Sequence, residues 1–235
     1  MDDFTGVSKI IESTDSITKE FRLIIYDFLS PVAKESGNYI ADRIKYLRVN
    51  NCIKALVKSK KILSDYEVTD YIIETRNLFP LIEKCSIEST EELVDKWANL
   101  IASAAIDKNF SPSYINLLSS LSPIESLTLD VIATSDIKAC KMGIYQYYGI
   151  SLIKLIQEVQ CVRADMVEIL SNLERLGLII KVFEHEPGIT FGNPPIGTTQ
   201  EEMIGLTPLG GRFMLSCDRK LEIGGGIPHI DFESL

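Results

Sequence analysis

The 235-residue sequence lacks the segments that membrane and secreted proteins require. It contains no run of eighteen apolar residues, so we expect no simple transmembrane helix. The acidic opening MDDFTGVSKIIEST has no basic region followed by an apolar core, which argues against a signal peptide. The five cysteines form no CxxC pair and are odd in number, so we expect reduced thiols in a cytoplasmic protein.

The sequence also has few of the residues that usually perform catalysis. Only two histidines are present, and no GxSxG, HExxH, P-loop or GxGxxG motif occurs. His185 lies in a predicted loop between two strands, and His229 lies in a predicted C-terminal tail. We expect neither to be a buried base. The sequence therefore predicts no catalytic site, no metal site and no cofactor, and we expect that the protein is not an enzyme.

Helix-start signals are frequent in the first half of the chain. Ser30, Ser111 and Ser122 each precede a proline, the pattern of an N-cap followed by the first helical residue. Ser122 and Ser89 are also followed three residues later by a glutamate, as in a capping box. These signals predict helices at about 14–29, 31–63, 70–85, 89–106, 112–121 and 123–134. The 31–63 helix has potential breaks at Gly37 and Asn50-Asn51, and no strand is expected before about residue 178.

The stretch from Ser151 to Cys217 has the pattern of a winged helix. SLIKLIQEVQ predicts a short helix, and CVRADMVEILSNLERLGLI predicts a second helix that ends at a glycine. KVFEHEPGIT and EEMIGL predict two strands around a wing, and Thr207-Pro208 predicts the start of a final helix. The predicted fold is mainly α: a helical bundle at 1–121, a winged-helix-like domain at 122–220 and a flexible tail at 221–235.

The charge of the predicted winged helix is unfavourable for DNA binding. The net charge is −9 overall, and 9 basic residues stand against 15 acidic ones from Ser122 onward. A recognition helix should offer Arg, Lys, Asn or Gln to the bases, and here Lys154 and Arg163 are the candidates for DNA contact. We therefore favour a structural or protein-binding use of the domain, with a DNA-binding transcriptional regulator as the alternative.

A basic stretch between Arg43 and Lys61 is the strongest candidate for a binding surface. It holds seven basic residues and no acidic one. On a helix, four of these residues share a stripe about 60° wide, which could bind phosphates or an anionic lipid surface. The other interpretation is a solvated face that pairs with acidic residues of neighbouring helices. The stripe consists of Arg43, Lys54, Lys58 and Lys61.

Two further features also have a functional and a structural interpretation. Glu91, Glu92 and Asp95 could hold a metal ion, but carboxylates are favoured in a first helical turn by the helix dipole alone. The apolar segment TKEFRLIIYDFLSPV could act on a membrane surface, but a helix that is apolar on most sides is usually buried within a bundle. We favour the structural interpretation of both features.

Four groups of positions, in their order and spacing, carry a family resemblance. They are Asp42, Arg43, Ile44, Tyr46, Leu47 and Arg48, then Trp97, Ala98 and Leu100, then Leu121, Ser122 and Pro123, and finally Leu206, Thr207 and Gly210. On these positions the sequence resembles the Abi-alpha family of bacterial abortive-infection proteins, over roughly residues 30–217. The resemblance implies a role in defence against phage, in which infected cells halt growth or die, and it implies no known reaction.

The leading hypothesis is an anti-phage protein that acts through contacts with a protein partner, which could be a second copy of itself. Nucleic acid is a less favoured partner because of the acidic charge. A membrane-perturbing effector is a further alternative, and an enzyme with an unrecognised site at Glu91, Glu92 and Asp95 is the last.

Overall fold

The protein is mainly helical, with a small antiparallel sheet. The computed structural model describes residues 39–68, 71–135, 138–142, 145–183 and 202–218. The chain divides into two compact units between Ser120 and Leu121. The predicted helix at 14–29, the potential break at Gly37, the wing with His185 and the tail with His229 lie outside the described residues.

The described part of the first unit contains four helices. They are α1 (Tyr39–Asp65), α2 (Thr75–Cys85), α3 (Glu91–Ile106) and α4 (Ser113–Ser119). The prediction of a break at Asn50-Asn51 is wrong, because α1 continues through both residues. Asn51 instead donates a hydrogen bond to the carbonyl of Ser86 over 3.4 Å. This contact and the packing of apolar side chains favour a continuous helix.

The core of the first unit forms where α1 and α2 pack against α3. Trp97 of α3 is 2% exposed and is one of the largest buried side chains, and aromatic burial of this kind contributes strongly to stability. Cys52 of α1 and Cys85 of α2 are free thiols and fully buried. A hydrogen bond with Cys52, together with burial, holds the pKa of the Cys85 thiol well above its usual range. The Cys85 thiol therefore stays protonated and unreactive at neutral pH.

The second unit combines four described helices with four strands. The helices are α5 (Pro123–Thr134), α6 (Leu152–Val159), α7 (Arg163–Arg175) and α8 (Pro208–Cys217). The strands are β1 (Lys138–Met142), β2 (Tyr145–Ser151), β3 (Ile179–Phe183) and β4 (Glu202–Leu206). β2, β4 and β3 form an antiparallel sheet in that order, with Lys181 opposite Ile204, and β1 pairs with β2.

The expectation that no strand precedes residue 178 is wrong, because β1 and β2 lie earlier. KACKM and YQYYGIS do not alternate cleanly between apolar and polar residues, so periodicity does not indicate them. Their strand form depends on pairing: β2 pairs with β1 on one side and, at Ile150 and Ser151, with β4 on the other. The strands predicted at KVFEHEPGIT and EEMIGL are confirmed as β3 and β4 within the described residues.

Side-chain caps are present at two of the predicted helix starts, those of α5 and α8. The N-cap predicted at Ser111 is wrong, because Pro112 occupies the N-cap of α4 and makes no side-chain bond. The capping box between Ser122 and Glu125 is present, and the Thr207 hydroxyl accepts from the Gly210 N–H at the start of α8. Gly177 ends α7 with a φ of 72°, and the Leu178 N–H bonds the Leu173 carbonyl, which is a Schellman ending. The capping box predicted at Ser89 is wrong: Thr90 occupies the N-cap of α3 without a side-chain bond.

Glu88, rather than Ser89, supplies the side-chain hydrogen bonds at the start of α3. The carboxylate of Glu88, just before the helix, accepts the backbone N–H groups of Ser89 and Thr90 over 2.9 and 2.8 Å. Glu91 and Glu92 then occupy the first turn, where the helix dipole favours acidic side chains.

Candidate functional site

The predicted basic stripe lies along the solvent face of α1. Arg43, Lys54 and Lys61 are exposed, and no described residue forms an ion pair or hydrogen bond with them. Lys61 lies seven positions after Lys54, so their Cα atoms are about 10 Å apart along the axis. The structure therefore leaves three of the four predicted basic residues available for a partner in the described part of the chain.

Lys58, the fourth residue of the stripe, is held within the protein. Its Nζ donates to a carboxylate oxygen of Glu91 and, over 2.6 Å, to Oδ1 of Asp95, both on α3. Burial lowers the pKa of Lys58, but the hydrogen bonds to Asp95 and Glu91 outweigh that effect and raise the pKa above its ordinary value. Lys58 thus links α1 to α3.

The same contact bears on the metal-binding interpretation of the acidic residues of α3. Two of the three carboxylates considered for metal binding, Glu91 and Asp95, are paired with Lys58. Among the described residues, no group of three or more His, Cys, Asp or Glu side chains is arranged to hold a metal ion. The acidic cluster and part of the basic stripe neutralise each other across two helices.

Replacing Lys58 with methionine should raise the pKa of Glu91 towards its ordinary value. The hydrogen bond and charge of Lys58 are the main causes that lower that pKa, whereas Lys54 contributes only a weaker charge effect. Carboxylate titration by NMR would measure the change, with Lys54→Met as the matched control that should shift the pKa less. Equal shifts in the two variants would contradict the described pairing.

The pairing of Lys58 with Glu91 also predicts the direction in which stability changes with pH. The pKa of Glu91 is lower in the folded protein than in the unfolded chain. The stabilisation from this pair is therefore present above the unfolded pKa and is lost as the pH falls through the folded pKa. The Glu91 side chain is 61% exposed and that of Lys58 is 33% exposed, so screening by solvent keeps the effect small.

Three large apolar side chains share the beginning of α1 with the basic stripe. Ile44, Tyr46 and Leu47 are 53%, 44% and 50% exposed. In this part of the helix none of the described side chains before Val49 is buried. The family resemblance includes these three positions, but the sequence pattern alone did not indicate that they face solvent.

The helix at the predicted recognition position, α7, presents a mixed surface. Arg163, Asp165 and Glu168 are exposed, so Arg163 is accessible as predicted. Val167 lies on the same exposed face and is 52% exposed. Lys154, the other predicted DNA contact, lies on α6, is partly buried and already has an interaction within the protein. The structure thus does not present Lys154 and Arg163 as two equally accessible DNA contacts.

Two other residues suited to base recognition, Asn172 and the exposed Arg175, form hydrogen bonds within the second unit. The Asn172 amide nitrogen donates to Oε1 of Glu125 over 2.5 Å. The guanidinium of Arg175 donates to Oδ1 of Asn172 over 3.1 and 2.6 Å. Sequence reasoning missed this network, because Glu125 and Asn172 are 47 positions apart. The network reduces the groups that α7 can offer to DNA.

The chain matches a known protein family. A family described as abortive infection alpha matches residues 48–217. No curated protein and no solved structure shows significant similarity to the chain. Among the described helices, none is long and apolar enough to cross a membrane.

Proposed function

The chain belongs to the abortive infection alpha family, and from that membership we propose that it protects bacteria against phage by contacting a protein partner without catalysing a reaction. The observation that carries the mode of action is the solvent face of α1. Arg43, Lys54 and Lys61 lie on one stripe there, and none of them forms an ion pair with a described residue. Such a stripe complements an acidic surface.

The proposal includes a domain assignment. We interpret the first unit as a helical bundle that presents the α1 stripe, and the second as a winged-helix domain in which α6 and α7 precede the β3–β4 pair. We place the protein in the cytoplasm because its five cysteines are odd in number and form no CxxC pair.

A charge-reversal experiment tests the proposed function. We expect Arg43→Glu, Lys54→Glu and Lys61→Glu, combined in one variant, to abolish protection, so that phage plaque as efficiently as on cells without the protein. Lys58 is left intact because its contacts with Glu91 and Asp95 are structural. The readouts are the efficiency of plaquing and host survival, with thermal unfolding as a check that the variant is folded.

A matched control reverses three other charges in the same unit. Lys60, Arg76 and Lys108 are off the stripe, and their replacement by glutamate changes the net charge by the same amount. This control should retain protection. Protection by the stripe variant would refute a role for α1, whereas the absence of protection by the natural sequence across a broad phage panel would refute the defence role itself.

DNA binding has one observation in its favour, the exposed Arg163 at the start of α7. A shift of duplex DNA at low salt that is lost in Arg163→Glu would support a regulator. The acidic charge of the unit and the internal bonds of Asn172 and Arg175 favour the protein-contact proposal.

A further inference from the structure

One face of α1 remains accessible along most of the helix and has the spacing of a helix–helix contact. From Arg43 onward, six residues follow one another at alternating intervals of four and three positions. This is the heptad spacing that keeps one side of a helix turned towards a second helix. All six are exposed or half-buried. We call them the α1 seam: Arg43, Leu47, Asn50, Lys54, Val57 and Lys61.

The α1 seam combines apolar and basic side chains and contains no acidic one. Leu47 is 50% exposed, and Val57 is half-buried. Arg43, Lys54 and Lys61 are exposed and form no ion pair with a described residue. Cations alone would suit any anion, but apolar side chains between them gain only from a partner that removes them from water. The seam therefore fits a partner that is both apolar and acidic.

The apolar part of the surface is broadest in the first turns of α1. Ile44 and Tyr46 are 53% and 44% exposed and lie on either side of Leu47. A single exposed apolar side chain is common on protein surfaces, whereas several neighbouring ones mark a contact site. From Arg43 to Lys61 the α1 seam is about 27 Å long, the length of about five helical turns. A partner helix of similar length would cover it.

Charge and polarity distinguish the possible occupants of the α1 seam. A second α1 in antiparallel orientation would place Arg43 opposite Lys61, and a parallel one would place each cation opposite its own copy, so like charges would repel. A nucleic acid would set phosphates against Leu47 and would approach a protein with a net charge of −9. An acidic helix with apolar residues at heptad spacing meets neither obstacle.

We propose that the protein partner presents an acidic amphipathic helix to the α1 seam, an assignment that rests on the proposed function and names the kind of surface that α1 contacts. Apolar residues of the partner helix cover Leu47 and Val57. Glutamate or aspartate residues that flank them pair with Arg43, Lys54 and Lys61. Lys58 takes no part, because it is paired with Glu91 and Asp95 of α3.

Binding of synthetic peptides to the full-length protein tests the proposal. The probe is a helical peptide of about three heptads, with leucine at the two inward positions and glutamate at the flanking positions of each heptad. One reference peptide has lysine in place of glutamate, and another has the composition of the probe in an order without heptad spacing. We expect fluorescence anisotropy to show binding of the acidic probe alone, and this binding to weaken as salt is added.

Two variants of the α1 seam should each bind the acidic probe about tenfold more weakly or worse, because each loses a contact and gains an unfavourable charge. They are Leu47→Asp and Lys54→Glu. The matched controls, Ile87→Asp and Lys108→Glu, make the same changes at exposed residues of the first unit outside α1. Both controls should bind the probe as the natural sequence does. Thermal unfolding of all four shows that they are folded.

Failure of this assignment and failure of the proposed function give different results. No binding of the acidic probe, or equal binding of the probe and the peptide without heptad spacing, would overturn the helix assignment. Loss of phage protection in the stripe variant would then still support a protein contact of another kind. Binding of the probe by a protein that protects against no phage would support the α1 seam and refute the defence role. Self-association that Leu47→Asp abolishes would assign the seam to a second copy of the chain instead.

Discussion

Gly210→Ala should lower the free energy of unfolding by about 3 kcal/mol, as expected when a methyl group is forced into a closely packed site. A Cβ at this position would lie 2.0 Å from the carbonyl oxygen of Leu178 and 2.9 Å from its carbon. That carbonyl is fixed, because it accepts the Thr207 N–H over 3.0 Å. Alanine would favour the helix by about 1 kcal/mol relative to glycine, which is too little to offset the overlap.

Urea unfolding followed by circular dichroism would measure the loss. Leu209→Ala is the matched control, since Leu209 is the preceding residue of α8 and is 40% exposed. It should change the stability by less than about 1 kcal/mol. If Gly210→Ala were as stable as the natural protein, the close approach of α8 to Leu178 would be wrong.

The segment from Thr207 to Gly210 shows how much can be predicted from the sequence alone. Thr207-Pro208 predicts a helix start, and the structure confirms it, because an N-cap depends on residues only three positions apart. The requirement for glycine at 210 cannot be predicted in this way. It arises from the carbonyl of Leu178, which lies at the end of another turn and approaches only after the unit has folded.

The same distinction explains the outcome for the candidate site. The sequence predicts the basic stripe, because the period of the helix places four residues on one side of it. These are Arg43, Lys54, Lys58 and Lys61. The pairing of Lys58 with two carboxylates of α3 depends on how α1 and α3 pack, and single-sequence patterns contain no signal for that.

For the same reason, the sequence did not predict strands β1 and β2 or the hydrogen bonds of Asn172 on α7. β1 and β2 are short and become strands through pairing with each other and, in β2, with β4. The role of Asn172 depends on Glu125 of α5, which is distant in the sequence. An asparagine that looks suited to base recognition on α7 is therefore a structural residue in the folded unit.

Glu125→Ala should destabilise the protein by about 2–3 kcal/mol, because it removes a cap and leaves buried polar groups without a partner. Glu125 is 8% exposed. One carboxylate oxygen accepts the N–H and the hydroxyl of Ser122 over 2.7 and 2.8 Å, and the other accepts the amide of Asn172. Thermal and urea unfolding would measure the loss, and Glu168→Ala, at an exposed glutamate of α7, should change stability by less than about 0.5 kcal/mol.

A double-mutant cycle separates the contact with Asn172 from the capping box. Asn172→Ala alone should also be destabilising, and the two substitutions together should cost about 1 kcal/mol less than their sum, because they remove the same hydrogen bond. Strict additivity would mean that Asn172 does not bind Glu125 in solution. The amide of Asn172, with Arg175 beside it, would then be available to a DNA base, and the regulator would gain support over the protein-contact proposal. A measured coupling would show that Asn172 is a structural residue of α7 and would favour the protein-contact proposal.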